Sequence, residues 1–93
     1  MNDIKLFESR EIRSVLLENE WYFAVVDVMA VLTESKNPRS YWAKLKEREK
    51  QQSGVELSTF CQQLKLPATD GKMYKTDCAS KQGLLRIIQS VTS

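Results

Sequence analysis

Hydrophobic and polar positions alternate at the start of the chain, where Ile4 and Leu6 flank Lys5. The run Ile12-Arg13-Ser14-Val15-Leu16-Leu17 is a second extended segment, and Trp21-Tyr22-Phe23-Ala24-Val25 a third, because aromatic and β-branched residues suit a pleated surface. Glu18-Asn19-Glu20 separates these two runs, and Asn19 tolerates the left-handed conformation of a tight turn. The pattern predicts a hairpin. Beyond it the period changes. Asp27 is placed to cap a short helix carrying Val28, Met29, Val31 and Leu32, apolar on most of its surface and so expected to be buried.

Thr33-Glu34-Ser35-Lys36 is a polar connection to a second helix. Asn37 is a good N-cap, and Pro38 fits the first helical position, where its missing N–H costs nothing. Tyr41, Trp42 and Leu45 form the apolar side of this helix. From Lys46 to Gln52 it has no apolar residue, so its last turns are expected to stand in water before Ser53-Gly54 ends it. Val55, Leu57, Phe60 and Cys61 fit a short amphipathic helix. Leu64 and Leu66 alternate with Gln63 and Lys65 up to Pro67, which marks a strand end or an edge strand. Asp70-Gly71 predicts a two-residue turn with positive φ at both central positions, and Met73-Tyr74 begins the returning strand. Thr76, Asp77 or Ser80 can cap a last helix, in which Leu84, Ile87, Ile88 and Val91 follow helical spacing and Gly83 is a mild weakness.

The expected fold is therefore α+β, a single small domain over residues 1–93. It has N-terminal antiparallel strands, a central pair of helices, a β-hairpin around Asp70-Gly71 and a C-terminal amphipathic helix. Hydrophobic residues make up 42% and charged residues 28%, which places the chain outside the disordered range. The apolar runs are too short for a membrane span and the N-terminus too polar for a secretion signal, so a cytoplasmic location is expected. Cys61 and Cys78 then read as reduced thiols rather than a disulfide.

Charge sharpens the picture through its distribution. Residues 1–35 carry a net −4, residues 36–50 a net +4 and residues 51–93 a net +2. A local patch is what a phosphate backbone feels, and here the cations concentrate on one element. Lys36, Arg39, Lys44, Lys46, Arg48 and Lys50 are the candidate phosphate contacts, with Lys72 and Lys75 of the hairpin as second contributors. Arg39 is the candidate base reader, because its planar fork can bind guanine in two places. A solvated helix end with interspersed charges explains the same cations equally well on composition. Tyr41 and Trp42 could stack on bases, but as the helix's apolar face they read first as core.

Catalytic chemistry finds no support. With no histidine, the commonest general base and metal ligand is missing, and two cysteines alone make a poor zinc site. The serines lack an S-x-x-K partner, and Gly54, Gly71 and Gly83 are too far apart for a phosphate loop. Asp27, Asp70 and Asp77 already have roles as caps or turn residues. The expectation is a non-enzymatic protein without metal or cofactor.

The order of motifs resembles the Bro-N domain, the N-terminal domain of baculovirus BRO proteins and of phage and prophage antirepressors. Trp21, Tyr22, Phe23, Ala24 and Val25 run into Asp27-Val28 as in the family's W-[FY]-x-[AV] strand and D-V helix. Asn37, Pro38, Tyr41 and Trp42 match its N-P-x-x-[YA]-[WL] helix start. "LKLPATDGK" and "TD" before "GLLRIIQS" look most like the prophage antirepressor and DNA-damage-inducible protein D branch. The resemblance spans residues 4–91. It implies a DNA-binding α+β domain of a viral or phage regulator, part of a longer chain with a separate C-terminal module. The partner this implies is duplex DNA. The alternative is a protein-interaction module that engages a repressor or recombination protein. A homodimer through strand edges is compatible with both, and a membrane with neither.

Overall fold

The computed structural model describes residues 4–7 and 10–92, with side chains from Ile12 to Thr92. Five strands and three helices follow one another as β1 (Ile4–Phe7), β2 (Arg10–Leu17), β3 (Glu20–Ala24), α1 (Val25–Thr33), α2 (Pro38–Ser53), a single 3-10 turn (Leu57–Phe60), β4 (Gln62–Pro67), β5 (Met73–Ser80) and α3 (Lys81–Thr92). All described strands pair antiparallel in the order β1-β2-β3-β5-β4. This is an α+β domain.

The β2–β3 hairpin closes on Glu18 and Asn19, with φ of 51° and 66°, and Leu17 opposite Glu20. Two consecutive positive φ values match the right-handed twist of the strands. β3 ends one residue earlier than the sequence suggests, and Val25 is already helical. The cap of α1 also differs from expectation. Ala24 takes the N-cap position with no side-chain hydrogen bond, and Asp27 lies inside the first turn. Its carboxylate is engaged elsewhere: it accepts from the backbone N–H of Arg13 at 2.9 Å and from that residue's guanidinium at 2.8 and 3.1 Å.

Helix α2 starts as its sequence predicts. Asn37 accepts from the Ser40 N–H at 3.1 Å, Pro38 is first in the helix, and Gly54 ends it at φ 68°. Its far end is less solvated than the lack of apolar residues suggests. Glu49 is buried, and Arg48 donates to the Ser90 carbonyl of α3 at 2.6 Å. The segment expected as a short helix is only the 3-10 turn Leu57–Phe60.

One face of the sheet carries the helices. Ile12, Phe23 and Ala79 meet Val25, Val28, Met29 and Val31 of α1, Trp42 and Leu45 of α2, Leu57, and Ile87 of α3. A smaller cluster of Ala24, Leu66 and Cys78, flanked by Val15, Tyr22 and Leu64, occupies the other face. Gly83 is a packing requirement rather than a weakness. A Cβ there would stand 2.8 Å from the Phe60 carbonyl oxygen. Ser80 caps α3 through the Gly83 N–H at 3.4 Å, whereas Asp77 lies within β5.

The β4–β5 hairpin is longer than Asp70-Gly71 alone suggests. Ala68 and Lys72 face each other at 2.9 Å, the Gly71 N–H donates to the Ala68 carbonyl at 3.0 Å, and only Gly71 has positive φ, at 83°. This is a turn followed by a left-handed glycine, the usual geometry of a three-residue hairpin loop. β3 pairs with β5 only from Cys78 to Ser80, while β4 pairs with β5 as far as Pro67–Met73. Past Ala24 the sheet therefore forks. The β4–β5 ribbon continues beyond β3, and Arg13 reaches across the fork to the Pro67 carbonyl at 3.0 Å.

Candidate nucleic-acid interface

The fork opens a cleft of about 410 Å³ between the ribbon and α2, and the lining includes Arg13, Arg39, Lys46, Lys75, Tyr74 and Asp77. Cations from β2, α2 and β5 thus converge on one concavity. They are held there by different means. Arg13 is fixed by Asp27 and Pro67, and hydrogen bonding to Asp27 raises its pKa further, so it stays charged. Lys46 lies 3.3 Å from Asp77 and 5.1 Å from the centre of the Trp42 ring. Arg39, at the start of α2, is exposed beside Tyr74.

Asp77 organises the base of the cleft. It accepts from the Trp42 indole at 2.9 Å, the Gln63 amide at 3.2 Å and Lys46, so one carboxylate joins α2, β4 and β5. Burial alone would raise its pKa, but these hydrogen bonds and the Lys46 charge together hold it below the ordinary carboxyl value. The same bonds place Trp42 in the core, with its one polar atom satisfied, as its place on the helix's apolar face predicts. Tyr41 packs half-buried beside it.

The other sequence candidates separate. Lys36 precedes α2 on the exposed connection, and Lys72 stands at the hairpin loop. Lys44 and Arg48, four residues apart, share a flank of α2 that Arg48's bond directs toward α3, away from the cleft. Lys50 is 3.4 Å from Glu56. Arg13 was missing from the sequence candidates. It lies in an extended run, and no spacing signal announces the fork that carries it to the cleft.

Among the described residues no group of three or more Cys, Asp or Glu is placed to hold a metal ion, and no helix is long and apolar enough to cross a membrane. Both thiols are quiet. Burial pushes the Cys61 pKa up to about 12 and that of Cys78 to about 11.

The model of the BRO family, N-terminal domain, matches residues 11–93. The chain belongs to this family. The match takes in β2 from its second residue through α3, and with them every residue of the cleft. No curated protein and no solved structure matches the chain.

Proposed function

We propose that this BRO-family domain is a DNA-binding module of a phage or prophage antirepressor-like transcription regulator, acting without catalysis and joined to a separate C-terminal module. The observation that carries the reading is the convergence of Arg13, Arg39, Lys46 and Lys75 on one open cleft. Asp27 and Asp77 offset Arg13 and Lys46, and Arg39 and Lys75 remain without an ion pair among the described residues, a net positive cleft. A phosphate backbone would neutralise it.

Of the sequence candidates, the proposed phosphate contacts are Arg39, Lys46 and Lys75 in the cleft with Lys36 and Lys72 beside it; Lys44 and Arg48 lie on the α3 side and Lys50 beside Glu56, so these three contribute least. Arg39, Lys72 and Lys75 surround the cleft and hairpin loop with no ion pair among the described residues, so they carry most of the interaction. Lys46 and Lys50 must share their charge with Asp77 and Glu56.

The test is a titration of a mixed-sequence duplex by fluorescence anisotropy across a salt series. For about four phosphate contacts, affinity falls roughly a hundredfold between about 50 and 200 mM salt. The triple variant Lys36→Glu, Arg39→Glu, Lys75→Glu loses at least about tenfold in affinity at low salt, with its melting temperature preserved. Binding indifferent to salt and to these changes would point to a protein partner and reject the reading.

A further inference from the structure

The ribbon is built oddly for a merely structural element. Its register sets Lys65 directly opposite Lys75. Like charges at facing positions of an antiparallel pair repel and weaken it. Neither lysine has an ion pair among the described residues, and both are exposed. Lysines on edge strands also discourage chain-to-chain pairing, and past β3 both strands of the ribbon are edges; facing each other on one side of the sheet, these two in addition concentrate charge there. The next pair toward the tip, Pro67 and Met73, lies on the same face, and Met73 is 55% exposed. The loop adds Lys72. The result is a two-stranded ribbon with a cationic and apolar face on the cleft side, while Leu66 packs its other face into the smaller core cluster. Its one acidic residue near the tip, Asp70, is occupied by the Tyr74 hydroxyl at 2.6 Å and the Lys72 N–H at 2.9 Å.

We infer that the β4–β5 ribbon enters the major groove of duplex DNA and reads base edges there with Lys65, Lys75 and Met73, while Arg39 and Lys36 hold the phosphates at the groove's rim. The inference rests on the DNA-binding reading above and names its recognition element. The dimensions agree. From Gln63–Asp77 to Pro67–Met73 the ribbon extends about 14–17 Å beyond the end of β3 at the usual rise per residue. Its strands are about 5 Å apart, and a two-stranded ribbon fits a groove about 12 Å wide. Lysine donates to guanine O6 and N7, and an apolar side chain meets the thymine methyl.

Helix α2 is the obvious competitor for the groove, and its charges argue against it. Glu47 is exposed on the outer side of α2, where it accepts from Gln51 at 2.8 Å, and would face phosphate or base oxygens. The helix is better suited to lie along the rim. Arg13 is the positioning residue, tying the ribbon's Pro67 to Asp27 and so setting the ribbon's angle.

The experiment compares four duplex samples with the intact chain at low salt: a plain mixed-sequence duplex, the same duplex with every cytosine glucosylated at a 5-hydroxymethyl group, and an A·T-rich duplex with and without saturating distamycin. Glucose fills the major groove, and distamycin fills the minor groove. Glucosylation is expected to weaken binding at least tenfold and distamycin less than twofold. The double variant Lys65→Ala, Lys75→Ala should bind plain duplex more weakly and lose most of the glucosylation penalty, while remaining folded because it removes a repulsive pair. Plain and glucosylated duplex bound equally, or competition by distamycin, overturns the groove inference and leaves DNA binding standing. Failure to bind plain duplex at any salt concentration removes the functional reading itself, and this inference with it.

Discussion

Gly83 shows how a single residue's meaning depends on what approaches it. In an isolated helix, glycine costs roughly 1 kcal/mol relative to alanine. Here the Phe60 carbonyl stands where a methyl group would sit, 2.8 Å from the ideal Cβ position. The obstacle is backbone, which cannot swing aside as a side chain can. Gly83→Ala is therefore expected to destabilise the domain by about 1–3 kcal/mol through overpacking, despite the better helix propensity. Urea denaturation with an unchanged slope and a lower midpoint would bear this out; a higher midpoint would refute it. The glycine was legible in the sequence as a residue within a helix. Its purpose was not, because the 3-10 turn that presses on it is set by a different segment.

At the scale of elements, the hairpins and caps were largely readable. Asn19, Asn37, Pro38, Gly54 and Gly71 act locally, and each stands where its backbone preference points. The misreadings share a cause. Asp27 and Asp77 have the chemistry of caps, and both were drawn into long-range bonds, to Arg13 and to Trp42. A carboxylate beside a guanidinium gains a two-pronged charged pair, and Asp77 gathers three donors at once, Trp42, Gln63 and Lys46, where a cap position offers fewer. The brace across the fork is testable. Arg13→Met removes the bond to Pro67 and leaves Asp27 with only the backbone N–H of residue 13, at a cost of roughly 1–3 kcal/mol. Amide exchange should quicken in Leu64–Leu66 and Met73–Thr76, with α3 much less affected. Lysine at position 13 should restore part of the stability, since it keeps the charge but not the fork. Unaltered exchange in the ribbon would show that Arg13 does not hold it.

For the molecule as a whole, Asp77 links helix layer to sheet and gives stability a pH dependence. Its folded pKa lies below the ordinary value, so its contribution is fully present above the ordinary carboxyl range. It is lost as pH falls through the folded value, below about pH 4. Asp77→Asn should flatten the acid limb of a stability-against-pH curve measured by thermal melting. A curve with the same slope as the parent would assign the acid sensitivity to other groups. Protonating Asp77 also loosens Lys46 and Trp42, so the cleft should lose its shape in the same pH range.

The sequence by itself determined most of the elements, their order, the α+β class, the cationic character of the α2 region and the family; the short helix expected around Leu57 was the exception, a single 3-10 turn. Each of these follows from local backbone preference, from hydrophobic period or from motif order, and all three are written along the chain. Only the tertiary structure decided that the sheet forks past Ala24, that Arg13 joins the candidate site, and that the α2 cations divide between a cleft and the α3 side. Those outcomes depend on which residues distant in sequence meet, and on the direction each helical residue faces once the core has chosen Trp42 and Leu45 as its anchors. Burial fixes that rotation, and with it where every charge on the helix points.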